Sequence, residues 1–300
     1  MTPTETRVVA GARTPELVSV VIPAHNAVSV LPEQLAAVAV AVAAYDGPAE
    51  VLVVDNRSTD ATAALVAAAG FRVVPAMDTA GPGYARNAGA AAARGDLLAF
   101  CDADDVVEPG WLTGLVEAAS SGAAAVAGRI DHEALNDPGL RLWRAPLQSD
   151  ELPVLGEYLP YAMTANCAMW ADVFRSLGGF DEWFGLSSED VDFFWRLQLA
   201  GHRLVFAADA VVQYRHRADL RTLVKQHFQY GRSEAYCYRK YRSAGMPARR
   251  LRRSARDWRN MLRRGPSMWS DPISRGVWLR LVAYRLGYVS GSVRARVVYV

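Results

Sequence analysis

The chain has 300 residues, 51% of them hydrophobic, and a formal net charge of +2. That is enough for one large domain, or one domain with an appendage, around a sizeable core. The three cysteines, Cys101, Cys167 and Cys237, are far apart with no CxxC pair, which excludes a disulfide framework and a zinc site and fits a reducing compartment. The longest apolar run, Leu35 to Tyr45, is short of the roughly 20 residues a bilayer span needs, and Met1 to Glu16 is polar without a signal-peptide core. The expectation is a cytosolic protein with a flexible stretch over residues 1–16.

Leu17 to Ile22 reads as a first buried strand, stopped by the turn chemistry of Pro23-Ala24-His25-Asn26. Leu31 to Tyr45 is rich in Ala and Val, and its length and Pro32-Glu33 start favour a helix. Glu50 to Val54 is a second strand, ending in Asp55-Asn56-Arg57-Ser58-Thr59-Asp60, where Ser58 or Thr59 can cap a helix over Asp60 to Ala69. Phe71 to Val74 is a third strand. Gly81-Pro82-Gly83 opens a helix over Tyr84 to Ala93, and Leu97 to Cys101 is a fourth strand. Strands alternating with helices in this way predict an α/β fold, a Rossmann-like, doubly wound and mostly parallel sheet with right-handed crossovers.

The pattern changes after Gly110. Trp111 to Ser120 is helical and Ala123 to Ala127 a short strand, while the polar, Pro-rich segment from Asp131 to Pro160 reads as a loop. Ala171 to Leu177 and Glu189 to Ala200 are helices flanking the turn Gly178-Gly179-Phe180-Asp181, and Leu204 to Phe206 and Ala210 to Tyr214 are short strands. From Leu220 the chain turns helical and basic. Arg239 to Arg264 holds eleven Arg or Lys residues and one acid, Asp257. Leu251, Ala255, Trp258 and Leu262 form a narrow apolar stripe on this cationic helix, and Trp278, Val282, Leu286, Val289 and Val293 form another. That is the pattern of a peripheral membrane-surface segment, and equally of helices packed on a main domain with their Arg face outward. No nucleic-acid-binding module accompanies the arginines.

The chemistry gathers at Gly95 to Asp105, an apolar run that ends in three carboxylates, Asp102, Asp104 and Asp105. A buried parallel strand delivers such a terminus to the carboxyl edge of the sheet, where open α/β sheets bind ligands. Three acids there repel one another unless a hard divalent cation neutralises them, and such a cation takes its remaining ligands from phosphate oxygens and water. A solvated acidic turn is the plain alternative.

Val18 to Asn26, Val53 to Asp60, Ala85-Arg86-Asn87-Ala88-Gly89, Phe100 to Asp105, Gly178 to Glu182 and Ser188 to Asp192 occur in the order and spacing of family 2 glycosyltransferases with the GT-A fold. The chain resembles that family over about residues 17–217. The resemblance implies a nucleotide-binding half (17–108), an acceptor-binding half (109–217) and, outside it, a helical C-terminal extension (218–300). It implies an inverting, metal-dependent transfer of one sugar from a nucleotide-sugar, UDP-linked, to the hydroxyl of a glycan, lipid or small metabolite.

Residue by residue, Pro23, His25, Asp55, Arg86 and Asp102 match positions that hold the nucleotide-sugar. Asp104, with Asp102, matches the D-x-D metal motif for Mn2+ or Mg2+, and His216 resembles a further metal ligand. Asp190 matches the catalytic base, with Glu189 and Asp192 as neighbouring competitors. Asn166, Asp181 and Glu189 are candidate sugar- or acceptor-binding groups, and Trp183 and Phe184 read as an apolar platform beneath a sugar or simply as core. Asn56-Arg57 departs from the usual Asp-Gly after the base-binding aspartate, and the tail lacks the Gln-x-x-Arg-Trp motif of processive synthases. Structural readings remain beside these: Asp55 as a capping turn, Arg86 as a solvated surface residue, His216 as a surface residue, and the acids near 190 as complements to a helix dipole. Two other activities fit the same ingredients, a sugar-phosphate nucleotidyltransferase and a catalytically inactive scaffold; the former would want a Gly-rich, Arg/Lys-bearing loop after the first strand, which this chain lacks.

Overall fold

A computed structural model describes residues 12–143, 150–184, 187–217, 219–249 and 251–299. They fall into two compact units. The first takes the chain through Ala134, Gln148–Pro153 and Tyr161–Arg215; the second takes Leu135–Leu147, Val154–Pro160 and the chain from His216.

In the first unit the chain runs β1 (Val18–Ala24), α1 (Leu31–Ala44), β2 (Ala49–Asp55), α2 (Thr62–Ala68), β3 (Arg72–Pro75), α3 (Pro82–Ala92) and β4 (Leu97–Cys101). β1 lies between β2 and β4, and β3 lies outside β2, all parallel. β1 and β4 are buried on both faces, so Val20 and Ile22 pack with Leu31, Leu35 and Val38 of α1 on one side, while Val21 packs with Leu52, Val54 and Phe100 on the other. The parallel register brings the ends of β1, β2 and β4 to one edge of the sheet. The turns after Ala24, Asp55 and Cys101 therefore open on the same side.

β5 (Val106–Val107), α4 (Trp111–Ser120) and β6 (Ala125–Asp131) follow; after α5 (Pro138–Leu142), which belongs to the second unit, come β7 (Asn166–Trp170), α6 (Ala171–Ser176), α7 (Glu189–Leu199) and β8 (Leu204–Gln213). The sheet order is β3-β2-β1-β4-β7-β6-β8-β5. The α/β fold class read from the sequence holds, with differences of detail. β7, unassigned in the sequence reading, pairs antiparallel with both β4 and β6, so this half of the sheet is mixed. The two short strands expected over 204–214 are one strand, interrupted where Gly128 pairs Ala207 and Arg129 pairs Val211. The expected loop from Asp131 to Pro160 contains α5 and a bridge between Val154 and Pro160; its residues 144–149 lie outside the described set. The first turn of α2 is not capped by Ser58 or Thr59: Ser58 Oγ accepts from the Asn26 N–H and Thr59 donates to Asn26 Oδ1.

In the second unit, α8 (Leu220–Tyr241), α9 (Leu251–Arg264) and α10 (Pro272–Ala295) form the helical part. α8 and α10 meet through small residues. A Cβ on Gly231 would collide with the Tyr284 carbonyl, and one on Gly287 with the Phe228 carbonyl. Beside this contact, buried Glu234 accepts hydrogen bonds from the hydroxyls of Tyr284, Tyr288 and Tyr299 at 2.8, 2.8 and 2.6 Å. A buried carboxylate needs such donors to offset its lost hydration. The stripe expected on α9 is not one face: Ser254 and Met261 are buried, Trp258 is half-buried, and Ala255 and Leu262 are exposed. No described helix is long and apolar enough to cross a membrane.

Candidate active site

The acidic turn after β4 is held by Gln34 and Arg215. Buried Gln34 on α1 donates through Nε2 to the Asp102 carbonyl (2.9 Å) and accepts at Oε1 from the Val107 N–H (3.1 Å), clamping both ends of the turn. The Arg215 backbone N–H donates to Asp105 Oδ1 (2.8 Å), its Nε to the Asp104 carbonyl (2.9 Å), and its Nη2 to Glu33 Oε2 (2.6 Å). So constrained, one carboxylate oxygen from each of Asp102, Asp104 and Asp105 lies within 4.8 Å of the others.

Asp105 is buried, and its Oδ2 has no hydrogen-bond partner. Burial, and then the charges of Asp102 and Asp104, push its carboxyl well above the usual range. A buried acceptor without a donor, beside two further carboxylates, fits an oxygen-liganded divalent cation.

Arg86 connects this turn to the second acidic group. It lies on α3, 3% exposed, and donates from Nη2 to Asp102 (2.6 Å) and from Nη1 to Glu189 (2.9 Å). Burial opposes its charge, but Asp102 and Glu189 outweigh that and raise its pKa. The guanidinium is thus spent on two carboxylates and is not the solvated surface residue of the structural alternative.

Glu189 and Asp190 begin α7. Ser188, the residue before them, has φ +70°, a left-handed conformation that strains a residue with a Cβ. Glu189 is buried with Oε2 lacking a partner; burial raises its pKa against the pull of Arg86. Asp190 is half-buried and accepts the Val191 N–H at 2.8 Å. Burial, then the neighbouring Glu189 charge, push it up to about 7, with Asp102 adding to the effect.

Asp192 is removed from contention by its own partners. It is fully buried and paired with Arg196 Nε at 2.8 Å. Arg196 also donates to the Leu177 and Gly179 carbonyls, tying α7 to the turn before it. Asn87, one residue past Arg86, holds the same turn: it accepts the Phe180 N–H and donates to the Phe180 carbonyl and to Glu182. Gly179 has φ +68° and a Cβ there would strike Asn87 Oδ1, so the turn needs glycine. Beneath it, Phe180 and Phe193 pack at 5.1 Å and Phe180 and Phe100 at 5.7 Å, anchoring α7 to the sheet.

At the ends of β1 and β2, Pro23 is half-buried within β1, which runs through it to Ala24. His25 is exposed; its Nδ1–H donates to the Asn56 carbonyl at 2.7 Å, leaving Nε2 as the acceptor for Asn26 Nδ2. Asp55 is 5% exposed and accepts the Ser58 N–H. Asn56 builds the wall beside it, donating to the Ala76 and Thr79 carbonyls and accepting the Gly81 N–H. Asp181 accepts the Trp183 N–H, and Trp183 is mostly exposed, whereas Phe184 is buried.

Asn166 does not present itself to a ligand. It is buried, accepts from Trp111 Nε1 (2.8 Å) and donates to the Arg129 and Ala210 carbonyls (2.8 Å each). Three of the four hydrogen-bonding directions of its amide join strands to α4. His216 begins the C-terminal stretch of the second unit and is buried, with its backbone N–H bonded to Asn136 Oδ1 at 2.7 Å.

The site's supports were not singled out from sequence. Asn87 and Asn56 lay inside quoted motifs, and Arg215 beside His216. Gln34 carried one signal, a lone polar residue on the apolar face of an Ala/Val helix.

The chain was compared with known proteins. The model of "Glycosyl transferase family 2" matches residues 19–178, and that of "Glycosyl transferase family group 2" matches residues 140–298. A pre-mycofactocin glycosyltransferase of Mycobacterium tuberculosis is 36% identical over 162 residues, covering 52% of this chain and 34% of its own length. The succinoglycan biosynthesis protein ExoM of Rhizobium meliloti is 35% identical over 147 residues, covering 46% of this chain and 47% of its own. The chain thus spans about a third to a half of these curated relatives.

Two solved structures share the fold. A mannosyltransferase of Pyrobaculum calidifontis, in complex with GDP-Man and Mn2+, superposes with TM-score 0.58 at 17% identity over 98% of this chain and 79% of its own. Glucosyl-3-phosphoglycerate synthase of Mycobacterium tuberculosis, with Mn2+, UDP and phosphoglyceric acid, does so with TM-score 0.57 at 22% identity over 77% of this chain and 80% of its own. A family match spanning more than half of the chain, on a GT-A fold carrying these acidic motifs, leads to one conclusion: the chain belongs to glycosyl transferase family 2.

Proposed function

We propose that the protein is an inverting glycosyltransferase that moves a single sugar from a UDP-linked donor to an acceptor hydroxyl, with Asp190 as general base. The observation that carries this reading is the Arg86 bridge. One guanidinium touches both Asp102 of the D-x-D turn and Glu189 of the acidic helix, so the two acidic groups, 86 residues apart in sequence from Asp104 to Asp190, border one region.

Donor binding rests on the sheet edge. Asp55 accepts a base N–H, Pro23 and His25 flank the nucleoside, and the Asp102–Asp104–Asp105 turn faces the diphosphate. A divalent cation bound there would neutralise charge on the departing phosphate. Asp190 takes the acceptor proton while the acceptor oxygen bonds to the anomeric carbon. A carboxylate shifted to about 7 is basic enough for that and still ionised in part at neutral pH. Glu189 fixes Asp190 at the helix start and, through Arg86, relative to Asp102. Asp181 and Trp183 supply polar and apolar contacts to sugar or acceptor, which is a glycan, a lipid or a small metabolite.

Hydrolysis and transfer assays with UDP-sugars, with and without Mn2+, test the reading. Mn2+-dependent turnover lost in both Asp104→Ala and Asp190→Asn is the expected result. Full transfer by Asp190→Asn overturns the base assignment. Diphosphate release from UTP would instead indicate a nucleotidyltransferase, and no turnover with any donor a scaffold.

A further inference from the structure

We infer that the second unit docks on an anionic bilayer, with the groove between α8 and α10 seating a phospholipid acyl chain. The helices approach through Gly231 and Gly287, so the small face of α10 is spent on α8. Leu286, Val289 and Val293 of α10 stay exposed outside that contact. Val282 and Leu286, with Val224 and Phe228 of α8, line a groove of about 440 Å³. That size lies within the range of small-molecule sites. The apolar strip continues beyond the groove along α10 through Val289 to Val293, which is 72% exposed.

Charge completes the fit. Arg221 and Lys225, both exposed, stand in the groove's lining on α8. From His216 to the C-terminus the chain carries twenty Arg or Lys against four Asp or Glu. Cations beside exposed aliphatic surface fit a phosphate headgroup with its hydrocarbon beneath it. A nucleic acid would satisfy the cations but leave the aliphatic strip in water, and a second copy of this chain would bring an equally basic surface against it.

Vesicle co-sedimentation of the full chain tests this without donor or metal, so its outcome is independent of the sugar chemistry. Phosphatidylglycerol-containing vesicles are expected to bind the protein and pure phosphatidylcholine vesicles to leave it in solution. Arg221→Gln and Lys225→Gln should each weaken partitioning about fivefold. Leu286→Asp, at an exposed position, should weaken it at least tenfold without changing the thermal transition. The native cysteines are buried, so Leu286→Cys can be labelled with a polarity-sensitive fluorophore. Its emission should shift to the blue on anionic vesicles, while a label at Val40→Cys on α1 should not.

Equal binding to neutral vesicles overturns the proposal. So does unchanged emission at position 286, or anionic binding that Leu286→Asp leaves intact, since either reduces the contact to charge alone. Tighter binding to single-stranded oligonucleotides than to vesicles, or a stable dimer by light scattering that Leu286→Asp dissolves, assigns the face to another occupant and also overturns it.

Discussion

Asp190→Asn should make the protein more stable at pH 8 while removing its transfer activity. Burial raises the Asp190 carboxyl from 3.8 to about 7, so folding disfavours its charged form. A pKa difference of about 3 units corresponds to about 4 kcal/mol; partial solvent access at this half-buried site reduces the expected figure to about 2–4 kcal/mol. Because the folded pKa is the higher one, this contribution is fully present below about pH 4 and is lost as pH rises through about 7. Asn keeps the shape and the acceptor for the Val191 N–H but cannot ionise. Thermal unfolding in metal-free buffer should place Asp190→Asn about 5–10 °C above wild type at pH 8 and close to it at about pH 4, with transfer reduced about 10²–10⁴-fold. A variant less stable than wild type at pH 8, or equally shifted at both pH values, refutes the argument that desolvation sets this group's pKa.

Other perturbations separate the remaining parts. Mn2+ should raise the transition temperature more at pH 8 than at pH 5, because the Asp105 carboxyl, held above its usual range, must lose its proton to ligate; Asp104→Ala should abolish the increment in the same thermal scan. Arg86→Ala leaves Asp102 and Glu189 facing each other without their cation, and urea unfolding at pH 8 should show a loss of about 3–5 kcal/mol, smaller near pH 4; a loss under about 1 kcal/mol would mean the bridge does not hold the site. Asn166→Ala should cost about 1–3 kcal/mol by orphaning its buried partners while leaving donor KM unchanged in the folded protein. Gly287→Val should destabilise the α8–α10 contact by about 1–3 kcal/mol, read as an earlier loss of helical circular dichroism on heating.

The strand ends illustrate how far local pattern reaches. Val18–Ala24 and Leu97–Cys101 are continuous apolar runs followed by turn residues, and both are strands whose ends share an edge. β7 escaped notice because Asn166-Cys167-Ala168-Met169-Trp170 has no alternation: it is buried on both faces between antiparallel partners, an environment that periodicity does not mark. Asn166 shows a related limit of local pattern. Its hydrogen bonds to Trp111, Arg129 and Ala210 reach 37 to 55 residues along the chain, which no neighbouring residue announces.

The sequence by itself determined the alternation of strand and helix, the acidic turn, the acidic helix start and the basic tail, because each is written in neighbouring residues whose propensity and charge act locally. Only the tertiary structure decided which acid is paired and which is raised. Asp192 is held by Arg196, Glu189 and Asp102 share Arg86, and Asp190 is left half-buried with a pKa near 7. Burial and the approach of distant charges set these differences, and both arise only when the chain has closed on itself.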